Sequence, residues 1–155
     1  MANTYSQLYV HLVFAVKRNH LSLIKEENRV SMEKYICGII SNCKSKPLAI
    51  YCNPDHTHVL VGLHPSISVS ELINKIKSNS SRFYHRNSAR NHFFAWQDGY
   101  GVFSNSHSQI NKVYNYIMNQ KEHHRKQVFK DEYLNMLKEA KIEYDSKYLF
   151  DFFDD

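Results

Sequence analysis

From Gln7 to Lys17 the chain alternates. Leu8, Val10, Leu12, Phe14 and Val16 are apolar, and Gln7, Tyr9, His11, Val13 and Ala15 stand between them. This two-residue period predicts a strand over 5–17, the even set facing a core and the odd set facing solvent, a ligand or a partner. The period then changes. Met32, Ile36, Ile39 and Cys43, widened by Tyr35 and Ile40, recur at helical spacing and predict a helix from Ile24 to about Lys44, with Gly38 inside it. Leu48 to Tyr51 reads as a short strand. Pro54-Asp55 turns the chain into a second one, His56 to Leu63, whose apolar half is bounded by Gly62 and Pro65. These two strands are expected to pair antiparallel.

Ser68 with Glu71 is a capping-box signature and opens a second long helix, striped by Val69, Leu72, Ile73, Ile76 and Phe83. Gly99 to Ser104 is a candidate last strand. Ser106 with Gln109 repeats the capping box and predicts a helix to about Glu122, with Ile110, Val113, Tyr114 and Ile117 on its apolar stripe. By that stripe Tyr114 is a core residue and Tyr116 lies off it, on the face shared with Gln120. A further helix, about Lys126 to Ala140, carries Val128, Phe129, Leu134 and Leu137. The aromatic tail Tyr144–Phe153 is expected to pack back onto the domain or onto a partner subunit. The order β-α-β-β-α-β followed by helices predicts an α+β fold with a ferredoxin-like (RRM-like) antiparallel sheet and additional C-terminal helices. Residues 1–155 read as one domain: a core with the tyrosine helix over 1–122, then a C-terminal helix and acidic aromatic tail over 123–155.

Composition agrees with a folded chain: 155 residues, 43% hydrophobic and 14% aromatic, with 4 Gly and 3 Pro. Cys37, Cys43 and Cys52 form no close pair, which argues against a disulfide framework or a cysteine zinc site and for reduced thiols in a cytoplasmic protein. The N-terminus carries no signal pattern, and no apolar run approaches the ~20 residues of a membrane span. Charge adds more. The net charge is +5, yet removing the five acids and one lysine of 143–155 leaves 19 basic against 10 acidic residues on 1–142. A body that basic favours a polyanion, with nucleic acid foremost. The acid-free run 74–97 holds Lys75, Lys77, Arg82, Arg86 and Arg90, and reads equally as a solvated helix face or a phosphate-facing surface. The segment Phe93-Phe94-Ala95-Trp96 either covers the core or offers stacking platforms to unpaired bases.

The sharpest chemistry is at the entrance of the second short strand. Side chains alternate on a strand, so His56 and His58 point one way and Thr57 the other, and the pair forms half of a divalent-metal site. Asp55-His56-Thr57-His58 on a strand, followed about sixty residues later by Tyr116-Ile117-Met118-Asn119-Gln120 on a helix, resembles the single-tyrosine HUH transposases of small insertion sequences and their REP-associated relatives. The resemblance extends to the opening strand ending in Lys17, to 95–101, to Glu122-His123-His124 and to Ile142-Glu143-Tyr144-Asp145. The middle residue of the pair departs from it: Thr57 stands where a bulky hydrophobe is usual.

The resemblance implies a single-stranded DNA transposase. Tyr116 would be the nucleophile. His56 and His58, with Gln120 as third protein ligand, would hold Mg²⁺ or Mn²⁺. A 5′-phosphotyrosine intermediate would form at hairpin-flanked sites, with no nucleotide cofactor. It also implies a homodimer, DNA contacts from Lys75, Lys77, Arg82, Arg86, Arg90 and Trp96, and no membrane association. Two other readings stay open on the residues alone. One is a non-catalytic domain on the same fold that binds single-stranded nucleic acid. The other is a small zinc enzyme with a third ligand such as His11, His123 or His124.

Overall fold

The computed structural model describes residues 3–18, 24–87 and 93–153. Asn19 and His20 of the basic loop, Arg90, and His92 at the start of the aromatic segment lie outside the described residues. Four strands, β1 (Tyr9–Ala15), β2 (Lys46–Cys52), β3 (His56–Gly62) and β4 (Gly101–Asn105), make one antiparallel sheet in the order β2-β3-β1-β4. Helices α1 (Glu26–Asn42) and α2 (Val69–Asn87) are the crossovers; α3 (Ile110–Met118), α4 (Gln120–Lys126) and α5 (Phe129–Glu139) follow β4. The sheet is the ferredoxin-like one that the sequence order predicts. The Ser68 hydroxyl accepts the Glu71 amide at 3.1 Å to start α2, and Gln109 Oε1 accepts the Ser106 amide at 2.9 Å ahead of α3.

Both faces of the sheet are covered. The even set of β1 (Leu12, Phe14, Val16) packs with Val59 and Val61 against Met32, Ile36, Ile40, Leu72, Ile73 and Ile76 of α1 and α2. Thr57 lies on this face, fully buried beside Phe14 and Cys52 on the neighbouring strands. Of the odd set, Gln7 is exposed and Tyr9 half-buried, but His11, Val13 and Ala15 do not meet solvent. Val13 and Ala15 are buried under Phe129, Tyr133, Leu137, Phe150 and Phe152, so the tail does fold back, onto its own chain. Ala49 and Leu60 are covered by Ile117. The tail is pinned by Gln97. Its Nε2 donates to the carbonyls of Val16 and Asp151 at 2.9 and 2.7 Å, and its Oε1 accepts the Asp151 amide at 2.8 Å. A Cβ at Gly101 would lie 2.7 Å from the Tyr133 hydroxyl oxygen, so the absence of a side chain lets α5 close onto β4.

Three expectations change on contact with the fold. The predicted helix to Glu122 breaks at Asn119 (φ −101°, ψ 21°), and Gln120 begins a separate helix. On α2 the buried aromatic is Tyr84, whose hydroxyl accepts the Lys25 amide at 3.1 Å, whereas Phe83 stacks on Tyr35 at the core's margin. On α5 the inward face is Phe129, Glu132, Tyr133 and Leu137; Val128 precedes the helix and is exposed.

The second core should carry much of the stability. Phe152→Ala should lower the unfolding free energy by about 3 kcal/mol, measured by chemical denaturation. A loss under ~1 kcal/mol would mean that the tail is only loosely docked.

Candidate metal and tyrosine centre

The period of two places His56 and His58 on the face covered by the C-terminal helices, beside Ala15 and Val13 on β1. Both rings are fully buried. His56 Nδ1 donates to Asp55 Oδ1 at 2.7 Å, and the ring lies flat on Phe129, with centroids 3.7 Å apart. That bond fixes the tautomer and turns Nε2 inward. His58 Nδ1 is 2.8 Å from Nε2 of buried His11, which orients this ring and turns its Nε2 the same way.

Both inward nitrogens meet Glu132, brought in by α5 and 3% exposed. Glu132 Oε1 lies 3.2 Å from His56 Nε2, 3.1 Å from His58 Nε2 and 3.3 Å from His124 Nε2 of α4. The potential ligand atoms of these four side chains all lie within 4.8 Å of one another. Glu132 Oε2 accepts the Tyr116 hydroxyl and, at 3.1 Å, Gln120 Nε2. Gln120 is fully buried. Its Oε1 accepts Asn53 Nδ2 at 3.0 Å and lies 3.0 Å from His124 Nε2. Tyr116 stacks on His123, with centroids 4.6 Å apart, and its ring centre is 5.9 Å from that of His58. A cleft of about 340 Å³, lined by Lys112, Gln127, Asn135 and Glu139 among others, leads from the surface to His11, Tyr116 and Glu132.

The electrostatics follow from this burial. Desolvation alone would raise the Glu132 carboxyl, but the adjoining histidines outweigh it and hold it well below the usual carboxylate range. Burial, then the Glu132 charge, pushes the Tyr116 hydroxyl above the ordinary tyrosine range. Burial disfavours charge on His56, but Asp55 and Glu132 more than compensate and raise it. Burial lowers His58, and burial with His58 beside it lowers His11 to about 3, so these two rings are neutral. The centre therefore gathers one buried carboxylate and three imidazole nitrogens, donor types that suit a cation.

The structure brings together His56, His58, Tyr116 and Gln120 with His11 and His124, which the sequence offered for the zinc reading, and adds Glu132 and Asn53. The signal for Glu132 was present: it is a charged residue at an inward position of a helix whose neighbours Phe129, Tyr133 and Leu137 are apolar. Tyr114 is not the core residue that the stripe predicted. It is 43% exposed, because α3 turns its Val113–Tyr116–Ile117 side onto the sheet. The basic residues of α2 lie on the opposite side of the sheet. Lys75, Arg82 and Arg86 are exposed there. Lys77 instead donates to the carbonyls of Gln97 and Gly99 at 2.7 and 2.6 Å, and burial lowers it to about 8. Trp96 packs edge-on against Phe14 and Phe94 and donates Nε1–H to Ser80 at 2.9 Å; the exposed ring of its segment is Phe93.

Two solved structures resemble this chain in fold. A protein from Deinococcus radiodurans R1 proposed to be a transposase shares 23% identity and a TM-score of 0.56, over 77% of this chain and 95% of that one. A REP-associated tyrosine transposase, solved bound to a REP hairpin, shares 14% identity and a TM-score of 0.58, over 80% of this chain and 73% of that one. At such identities the likeness is one of fold. No curated protein matches. Residues 4–120, from before β1 through Tyr116 to Gln120, match the family model described as transposase, IS200 like, and the chain accordingly belongs to the IS200-like transposase family.

Proposed function

We propose that this transposase cleaves and rejoins single-stranded DNA through a covalent bond to Tyr116, at sites flanked by hairpins. The observation that carries the reading is the position of the Tyr116 hydroxyl, in hydrogen-bond contact with the carboxylate that adjoins His56 and His58 of the same chain. A nucleic-acid-binding domain has no need of that constellation. A zinc hydrolase would use a water nucleophile and leave Tyr116 without a role.

The family implies a divalent metal, and the donor chemistry fits one. His56 and His58 would hold it, with Gln120 in the place that the resemblance gives to the third ligand. When bound, Mg²⁺ or Mn²⁺ would polarise the scissile phosphate and offset the charge developing on it. The strand enters by the cleft beside Lys112. Tyr116 Oη attacks phosphorus and loses its proton; the P–O3′ bond breaks, and the departing 3′ oxygen takes up a proton. The product is a 5′-phosphotyrosine and a free 3′-OH, and attack by another 3′-OH reverses the step and joins strands. The bond energy stays in the phosphotyrosine, so no nucleotide is consumed. Stacking on His123 and the bond to Glu132 fix the attacking ring, which limits the reorganisation needed for in-line attack.

Lys75, Arg82 and Arg86 supply phosphate contacts for the hairpin on the far side of the sheet, and Arg90, outside the described residues, is a further contact on its sequence alone. Lys77 and Trp96 contribute by holding segment 94–99 in shape, and Phe93 is the ring free to stack. A homodimer is part of the proposal, supported by the exposed apolar residues Val30, Tyr114 and Met118 along one groove. Among the described residues no helix is long and apolar enough to cross a membrane, in keeping with action on DNA in the cytoplasm.

His56→Ala or His58→Ala should reduce cleavage by 10³-fold or more, of the order of removing a preorganised electrostatic group, while hairpin affinity falls less than about threefold. Wild-type cleavage by either variant in Mn²⁺ would remove the metal assignment. Tyr116→Phe should abolish the covalent protein–DNA adduct and Tyr114→Phe should retain it, as read by peptide mass spectrometry; DNA found on Tyr114 or Tyr100 would overturn the choice of nucleophile. Hairpin affinity should fall steeply with salt, and the triple variant K75E/R82E/R86E should lower the slope of log K against log salt by about 2–3. An unchanged slope would place the phosphate contacts elsewhere.

A further inference from the structure

His56 Nδ1–H is committed to Asp55, which leaves Nε2 as the nitrogen turned toward Glu132. His58 is bonded through Nδ1 to His11, which turns its Nε2 inward. These nitrogens lie 3.2 and 3.1 Å from one Glu132 oxygen, and His124 Nε2 joins them at 3.3 Å. The potential ligand atoms of the four side chains lie within 4.8 Å of one another, close enough for one cation to take the place of the protons they share. The Gln120 amide is spent differently. Its oxygen already accepts from Asn53 at 3.0 Å, and its nitrogen donates to Glu132 Oε2 at 3.1 Å. Both His124 and Glu132 lie beyond the segment 4–120 that matches the family.

We infer that in this chain the divalent cation is held by His56, His58, His124 and Glu132, and that Gln120 is a positioning residue that aims the Glu132 carboxylate rather than a ligand. The inference rests on the metal reading proposed above and changes its ligand set. Three imidazoles and one carboxylate favour Mn²⁺ and later transition dications over Mg²⁺, which prefers oxygen donors and keeps its waters. Glu132 then touches both halves of the reaction, with Oε1 toward the cation and Oε2 on the Tyr116 hydroxyl. The C-terminal helices thus become part of the centre rather than a lid over it.

The test is metal binding by the full chain without DNA. Isothermal titration with Mn²⁺ should show affinity at least tenfold above that for Mg²⁺. Affinity for Mn²⁺ should fall tenfold or more in E132Q and H124A, and less than fivefold in Q120A. Pulsed electron paramagnetic resonance of bound Mn²⁺ should count three imidazole nitrogens in the wild type and two in H124A, a readout that stands even if E132Q folds poorly. Two nitrogens in both proteins, or a Q120A loss as large as that of E132Q, would overturn the ligand set while leaving His56 and His58 as metal residues. Absence of Mn²⁺ binding by the wild type, or unaltered binding by H58A, would instead sink the metal reading itself.

Discussion

A carboxylate that is nearly sealed from water must be compensated on every side, and the far half of this molecule is arranged around that constraint. Glu132 draws one histidine pair from β3, a third histidine from α4, an amide from the start of α4 and a phenol from α3. Each partner is held in turn: His56 by Asp55 and Phe129, His58 by His11, Gln120 by Asn53. Removing the carboxylate would leave these groups facing one another in an apolar pocket. Removing one partner would leave a charge short of a donor, which is the more damaging change. The same interlock fixes the tyrosine against the histidines before any substrate arrives.

The scaffold makes this affordable because the sheet has two covered faces. The face under α1 and α2 is an ordinary aliphatic core. The other is covered in patches, aliphatic under α3, aromatic under α5 and the tail, and polar between them where the histidines lie. Gln97 ties the tail to Val16, and Gly101 lets Tyr133 and its helix sit against β4. The distance from tail to centre is short in contacts: Phe152 packs on Phe129, and Phe129 stacks on His56.

Much of the fold is legible in the sequence, because strand and helix periods differ and each run is long enough to show its own. The alternation in β1 and β3, the α1 stripe and the two Ser-initiated caps all locate real elements. The His56–His58 pair and the Tyr116–Gln120 spacing are legible for the same reason, since i,i+2 on a strand and i,i+4 on a helix each put two side chains on one face. What fails is the width and aim of a stripe. Tyr114 and Tyr116 flank the apolar line of α3, and only the placement of that helix on β2 and β3 decides that Tyr116 turns inward. Phe83 and Tyr84 pose the same ambiguity. Glu132 escapes a hydrophobic reading altogether, because a charge within an apolar face is interpretable only once its partners, from segments 8 to 76 residues away, are known.

Within the single chain described, Tyr116 already lies with His56 and His58, so the proposed reaction needs no exchange of the tyrosine helix between subunits. Mixing two inactive variants tests it most directly: H58A, which keeps its tyrosine, and Y116F, which keeps its histidines. If each chain's tyrosine serves its own histidines, the mixture incubated with Mn²⁺ and a hairpin oligonucleotide will form no more covalent adduct than either variant alone. Adduct in the mixture at a substantial fraction of the wild-type yield, carried by the H58A chain, would mean that the tyrosine helix is exchanged between subunits and that the arrangement described here is not the active one.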